Sequence, residues 1–380
     1  MNKKEINEIK SLFLSADENG IERLVGCYVD GERNIVSSFN NTFLNLDKEE
    51  IYKYLEIFTK SLSGTQGKNL LDMTFAYNGQ NSDGAKLLES MRMAELKDDI
   101  LNSLFFDKVI ETYDCVGPYL ILLIYQAYDV PGITEDGIEM GDASDEVYSY
   151  ILCSLCPVGV TKPGLGYFEE TNDFHSLKQE KYVLNPDNAF LYPAFNDRCA
   201  DTDSILYYTQ KGENPQIHFL EEFLGVDAPV PAAEQKETFS GLIKETFAEE
   251  ADMNVVTSVH ENLAGMVSEK KKLTPAGQPV VIDRDDVTSV MRRSGVDEER
   301  VRHFSERYDE EFGGYGQEPE LYAANIMPAR SKLEMKTPDV VVKINYDKTS
   351  LVETRVIDGK RCLVIELGEG LVVNGIPVQY

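Results

Sequence analysis

The sequence predicts an α+β fold: a mixed, largely antiparallel sheet with helices, then a helical middle region and a small β-rich C-terminal unit. Three observations carry this reading. Tyr119 to Tyr125 is an unbroken apolar and aromatic run inside Gly117–Gly132, bracketed by turn residues, and a run that short and apolar reads as a strand buried on both faces. After the linker-like stretch Val226–Glu234, with DAPVPAAE at its core, the apolar spacing turns helical. Three strand patterns then close the chain, the last two joined by Asp358-Gly359, a strong hairpin signal. The implied divisions are residues 1–225, an α+β domain around the central strand 117–132; 226–318, linker plus helices; and 319–380, the β-rich unit.

In order, residues 3–14 read as a helix, and Ile21–Val29 with Asn34–Phe39 as a hairpin turning on Asp30, Gly31 and Glu32. Asp47 precedes Glu50 at the capping-box spacing, and Ile51, Leu55, Phe58 and Leu62 follow at helical intervals. A short element over Leu70–Tyr77 precedes one helical pattern from Ala85 to Tyr113. Pro118 can begin the central strand, and Asp129, Pro131 and Gly132 should stop it. An acidic loop, Thr134–Glu146, should lead into a second apolar strand, Val147–Val160, beside the first. Ala189–Phe195 and Ser204–Thr209 read as strands, and Ile217–Leu224 as a helix closed by Gly225. The helical region holds Phe239–Phe247, Val255–Lys272, Asp285–Ser294 and Asp297–Phe312, and Gly313, Gly314, Gly316 and Pro319 mark its end. Val340–Tyr346, Leu351–Ile357 and Arg361–Leu367 are the final strands.

A net charge of −29 over 380 residues repels phosphate backbones and anionic membranes, so nucleic-acid contact must be local to a basic patch. No secretory signal is evident, no stretch approaches a membrane span, and six scattered cysteines suit a reducing compartment; the expected location is cytoplasmic, nucleoid included. Cys153 and Cys156, with Cys199 and His175, make a weak zinc outline, and strand alternation puts Cys153 and Cys156 on opposite faces. Gly64-Thr-Gln-Gly67-Lys68 lacks P-loop spacing. Asp201/Asp203 and Asp283/Asp285/Asp286 offer carboxylates for a magnesium-dependent nuclease or phosphatase, but helix capping accounts for the second group more simply. No cofactor and no catalytic residue is expected. Asp285–Arg293 and Asp297–Phe312 around Ser294-Gly295-Val296 outline a helix-turn-helix, yet the second helix is too acidic to enter a DNA groove. The tyrosines, twenty in number, read as half-buried sheet residues.

The segments GCYVDGERN from Gly26, KYLEIFTKSLSGTQGKNLLDM from Lys53, YLILLIYQAYDVPG from Tyr119, ASDEVYSYILCSLCPV from Ala143, FLYPAFNDR from Phe190 and VVNGIPV from Val372 resemble an uncharacterised bacterial family, domain-of-unknown-function family 4317, along essentially the full length. That resemblance brings no activity. A more distant one joins Tyr208–Gly212, the segment HFLEEFLG from His218, the helical region and a β ending on Asn374-Gly-Ile-Pro377, and is similar to the 37-kilodalton nucleoid-associated protein family. It implies a non-enzymatic protein that binds DNA or DNA-handling machinery, with DNA or a nucleoid protein as partner; a homodimer is also expected, and no membrane. The alternative from charge alone is an acidic protein-interaction module that mimics DNA or holds a basic partner.

Any DNA or partner contact is expected on Arg330, Lys332, Lys336, Lys343, Arg355, Lys360 and Arg361. With Lys348, residues 330–361 carry eight basic against five acidic residues, a balance no other stretch of that length has. The competing reading makes these residues guards of β edges against pairing with other chains.

Overall fold

The computed structural model describes residues 1–14, 20–75, 83–133, 139–211, 216–226, 230–247, 252–275, 278–312, 321–327, 332–345, 348, 351–367, 372–373 and 376–377. The chain divides into two units, Met1–Glu234 and Gln235–Tyr380.

The first unit opens with helix α1 (Lys3–Ser11), strands β1 (Ile21–Val29) and β2 (Ile35–Thr42), helix α2 (Lys48–Ser61) and strand β3 (Leu70–Thr74). Helices α3 (Asp83–Met93) and α4 (Asp99–Thr112) precede the long pair β4 (Tyr119–Ile133) and β5 (Glu139–Val160). Short strands follow: β6 (Gly164–Phe168), β7 (Asp173–Leu177), β8 (Lys181–Val183), β9 (Asn188–Tyr192), β10 (Ala194–Asn196), β11 (Cys199–Asp201) and β12 (Ser204–Thr209), then a π-helical turn, Phe219–Leu224. The main sheet runs β2-β1-β4-β5-β9-β12-β3, with β8 also on β5, and every strand pair in it is antiparallel.

The apolar run does what its composition requires. On β4, Ile121, Leu123 and Tyr125 enter one core, and Leu120, Leu122 and Ile124 enter the other. The first core is closed by Leu88 and Met91 of α3, Phe105 and Val109 of α4, and Phe219 and Phe223 of the π-helical turn. Ile6 and Ile9 of α1 with Ile51, Leu55 and Phe58 of α2 close the second. Helices on both faces leave no wet side to the central strands, which therefore read as continuous rather than alternating apolar sequence. Several sheet tyrosines lie deeper than half-buried. Tyr148, Tyr150 and Tyr207 are fully buried, and each hydroxyl is satisfied: Tyr148 donates to the Pro193 carbonyl at 2.6 Å, Tyr150 to Gln126 Oε1 at 2.8 Å, and Tyr207 accepts from Asn188 Nδ2 at 2.7 Å.

Several expectations need correction. Asp129, Pro131 and Gly132 do not end β4, because shifts in register on either side of Pro131 absorb the missing donor and pairing continues to Ile133. Residues 139–146 of the expected acidic loop belong to β5; 134–138 lie outside the described residues. The single helix over 85–113 is two, since Glu95 and Leu96 adopt left-handed φ of 53° and 56°, and Asp98 caps α4 by accepting from the Ile100 and Leu101 amides. Asp47 makes no side-chain cap on α2, whereas Asn2 and Glu5 form a full capping box on α1. Pro193 splits the expected strand 189–195 into β9 and β10. Gly225 takes the left-handed φ of 71° expected after the turn it closes.

In the second unit, helices α5 (Ala232–Thr246), α6 (Met253–Leu273), α7 (Arg284–Arg293) and α8 (Glu298–Phe312) share a core of Phe239, Leu263, Val290, Phe304 and Tyr308. Strand β13 (Val281–Ile282), before α7, pairs with β14 (Leu321–Tyr322), and α9 (Ala323–Ile326) adds Ala323 and Ile326 to that core. Three antiparallel pairs end the chain: β15 (Lys332–Lys336) with β16 (Val341–Asn345), β17 (Val352–Ile357) with β18 (Lys360–Ile365), and β19 (Val372–Val373) with β20 (Ile376–Pro377). Asp358 and Gly359 form the β17–β18 turn with φ of 52° and 75°, the positive pair that a two-residue hairpin turn needs. Gly313, Gly314, Gly316 and Pro319 lie outside the described residues.

Gly84 shows how tightly α3 is seated: a Cβ there would lie 1.9 Å from the Phe223 carbonyl oxygen. Gly241 of α5 and Gly265 of α6 face open space. Gly84→Ala is expected to lower the thermal unfolding midpoint through a loss of about 1–3 kcal/mol, and Gly241→Ala to raise it slightly through helix propensity of about 1 kcal/mol. Calorimetry on the two variants checks the contrast; equal effects would contradict this packing.

Candidate functional site

Cys153 faces the first core and Cys156 the second, both fully buried, and burial pushes both thiols up. Opposite faces of one strand cannot ligate one ion. His175 lies on β7 within hydrogen-bond reach of Thr171 Oγ1 at 3.1 Å, and among the described residues no cluster of three metal-ligating side chains forms. Asp283 accepts from the Asp286 amide at 2.8 Å and Asp286 from the Asp283 amide at 3.1 Å, a reciprocal cap on α7. Asp201 accepts from Asn196 Nδ2 at 2.7 Å and from the Asp203 amide, holding the turn before β12. These carboxylates are engaged by nearby backbone amides and side chains, Asp286 also pairing with Lys270 and Asp285 with Arg284.

Sequence reasoning missed one half-buried ionic cluster. Arg92 of α3 donates to both Glu89 oxygens at 2.8 and 2.6 Å and to Ser149 Oγ of β5 at 2.6 Å, while Tyr192 donates to Glu89 at 3.2 Å. The Arg92 hydrogen bond holds the Glu89 carboxyl below its ordinary range, and burial pushes the Tyr192 phenol up. Neither group is poised to exchange protons near neutrality, and the cluster acts as a clamp between α3 and the sheet. The i, i+3 spacing of Glu89 and Arg92 was the available signal, but it is shared with ordinary helix-surface pairs.

Helices α7 and α8 do form the expected pair, turning at Gly295, with Val296 buried. Glu298, Glu299, Glu306, Asp309, Glu310 and Glu311 are exposed on α8, and Arg307 is engaged by Glu310 and Glu311 at 2.6 and 2.8 Å. That face repels a phosphate backbone.

The basic C-terminal residues sit on two ribbons. In β15–β16, Leu333, Met335, Val342 and Ile344 share one face, with Leu333 buried, and positions 332, 334, 336, 341, 343 and 345 share the other. Lys336 and Lys343 thus come together, with Glu334 between them paired to Lys343 at 2.7 Å. In β17–β18, Arg355 and Lys360 share a face with Glu353, which pairs with Arg355. Arg361 occupies the opposite face with Val356, Leu363 and Ile365. Arg330 lies outside the described residues, as does the side chain of Lys332. Lys336, Lys360 and Arg361 are exposed and, among the described residues, form no ion pair. The register therefore gathers Lys336 with Lys343 but separates Lys360 from Arg361.

A family model described as Domain of unknown function (DUF4317) matches residues 1–376. The chain belongs to the DUF4317 family. No curated protein matches it. Membership in DUF4317 assigns no activity. No helix among the described residues is long and apolar enough to cross a membrane.

The thiols give a direct check on these placements. Cys199 is exposed, with a thiol raised chiefly by its hydrogen bond to Glu146. Under native conditions iodoacetamide should modify Cys199 first, faster as pH rises, and leave Cys153 and Cys156 untouched until the protein unfolds. Mass spectrometry reads the order; native modification of Cys153 would contradict its burial.

Proposed function

We propose that this chain acts by binding rather than by catalysis, and that a protein partner docks on the apolar face of the β17–β18 ribbon. The observation that carries this reading is the exposure of Val356, Leu363 and Ile365, at 71, 40 and 44 %, together on one face of a two-stranded ribbon. Solvent-facing apolar side chains gathered on one surface favour association. The acidic field of the chain steers basic proteins toward it, and Arg361 within the apolar face selects a carboxylate opposite. Support also comes from Asp201, Asp283 and Asp286, which are engaged in a turn and a helix cap, and from Cys153 and Cys156, which are buried in the cores.

One observation favours a second reading, direct contact with DNA: Lys336 and Lys343 lie on a common face of β15–β16, and Lys360 is exposed at the neighbouring hairpin's turn. In that reading the chain is a nucleoid-associated-like protein.

Affinity capture from lysate, with and without nuclease, separates the two. The protein reading expects partners that survive nuclease treatment and are lost from V356D/L363D but retained by K336E/K360E. The DNA reading expects capture abolished by nuclease, an affinity falling with salt at a log–log slope of about −0.9 per phosphate, and a slope flattened by one to two units in K336E/K360E. Loss of all partners on nuclease treatment would overturn the protein reading.

A further inference from the structure

Hairpin β6–β7 is a two-stranded sheet separate from the eight-stranded one, and all its strand residues except Gly166 are exposed. A lone two-stranded hairpin is marginally stable in water. This one nevertheless carries Leu165 at 75 % exposure, Tyr167 at 51 % and Phe174 at 64 %. The register puts these three on one face, with the Tyr167 and Phe174 rings directly opposed at 5.4 Å between centroids. The other face covers itself better: a Cβ on Gly166 would lie 2.5 Å from Leu177 Cδ2, so the absent side chain lets Leu177 fold across the ribbon. Gly164 and Gly166 thus turn the arm's bulk toward the Leu165 face.

Charge is also graded along the arm. At the tip stand Glu169, Glu170 and Asp173, all exposed. The base carries exposed Lys162 and Lys178, with Glu180 and with Lys181, whose ammonium donates to Tyr28 Oη at 2.8 Å and lies 5.1 Å over that ring. The tip is negative and the base positive, about 17 Å apart along five strand residues.

We propose that β6–β7 is a self-association arm that pairs two copies of this chain about a two-fold axis, Leu165 face against Leu165 face, with each acidic tip beside the other copy's basic base. Two-fold pairing needs a self-complementary surface, and a ribbon whose ends bear opposite charge meets that need only when the arms run antiparallel. Taking about 200 Å² for a fully exposed large side chain, Leu165, Tyr167 and Phe174 offer on the order of 400 Å² of apolar surface per chain, or roughly 800 Å² for the pair, the size of a weak, concentration-dependent interface, so the charged ends must supply the rest of the complementarity. The surface lies in the other unit from the ribbon assigned to partner binding, so this inference stands apart from that reading.

Sedimentation of the full chain across the micromolar range tests it. The wild-type chain should dimerise, and L165E/F174E should weaken the dimer at least about tenfold with an unchanged circular dichroism spectrum. Reversing only exposed charges gives the second arm: E169K/E170K and K162E/K178E should each weaken self-association at low salt, and an equimolar mixture of these two variants should recover the dimer, because each then supplies the other's missing complement. V356D/L363D should leave it unchanged. A wild-type chain that sediments as a monomer, a dimer indifferent to L165E/F174E, or a mixture that fails to recover would overturn the proposal.

Discussion

Burial of Tyr119–Tyr125 of β4 and Tyr150–Cys156 of β5 on both faces is the constraint on which the first unit depends. Once Leu120, Leu122 and Ile124 point into one core and Ile121, Leu123 and Tyr125 into the other, helices must cover both sides of an antiparallel sheet that could otherwise keep one side wet. α1 and α2 supply one cover; α3, α4 and the π-helical turn supply the other. Most polar side chains admitted to this interior bring their own partners, the buried Tyr119 hydroxyl being an exception. Asn188 does so by accepting from Tyr113 at 3.1 Å and donating to Tyr207, and Ser154 by sharing a 2.8 Å hydrogen bond with Ser61 of α2. Interior chemistry is thereby committed to structure, and groups able to meet another molecule lie on the ribbons and the helix surfaces.

That division gives the charge distribution its meaning. Acids at Asp283 and Asp286 hold a helix end, Glu89 holds Arg92, and Glu334 and Glu353 hold Lys343 and Arg355. Exposed ion pairs of the last kind contribute little stability. Their consequence is that a basic stretch loses part of its capacity to grip phosphate, while Val356, Leu363 and Ile365 on the reverse of the same hairpin stay uncovered. The arrangement suits a partner recognised by apolar contact and oriented by a few charges.

Much of this was legible in the sequence where one residue pattern has one physical solution. The Tyr119–Tyr125 run, the β1–β2 hairpin, the Asp358-Gly359 turn and the alternation of Lys343 against Val342 and Ile344 all follow from period and turn chemistry. Failures came where tertiary contacts overrode local preference. Nothing local marks the break at Glu95 and Leu96, which is held by packing of the buried Leu96 and by Asn102 donating to the Leu96 carbonyl at 2.9 Å. Pro131 looked like a stop because a bulge cannot be read from one strand alone. Among site residues, the sequence located the basic ribbons, but register decides which side chains share a face, and register placed Arg361 away from Lys360. The exposed aromatic arm has no sequence signal of its own, since exposure is a property of neighbours rather than of the residues themselves.

The first unit is built on a rigid sheet whose centre is buried on both faces, and the apolar ribbons are not strands of it. Native-state hydrogen exchange tests this most directly. Amides of Leu120–Tyr125 and Ile151–Leu155 should exchange only through global opening of the first unit, and amides of β17 and β18 in the unbound chain about a hundredfold faster or more. Protection in β17–β18 equal to that of β4 would contradict it.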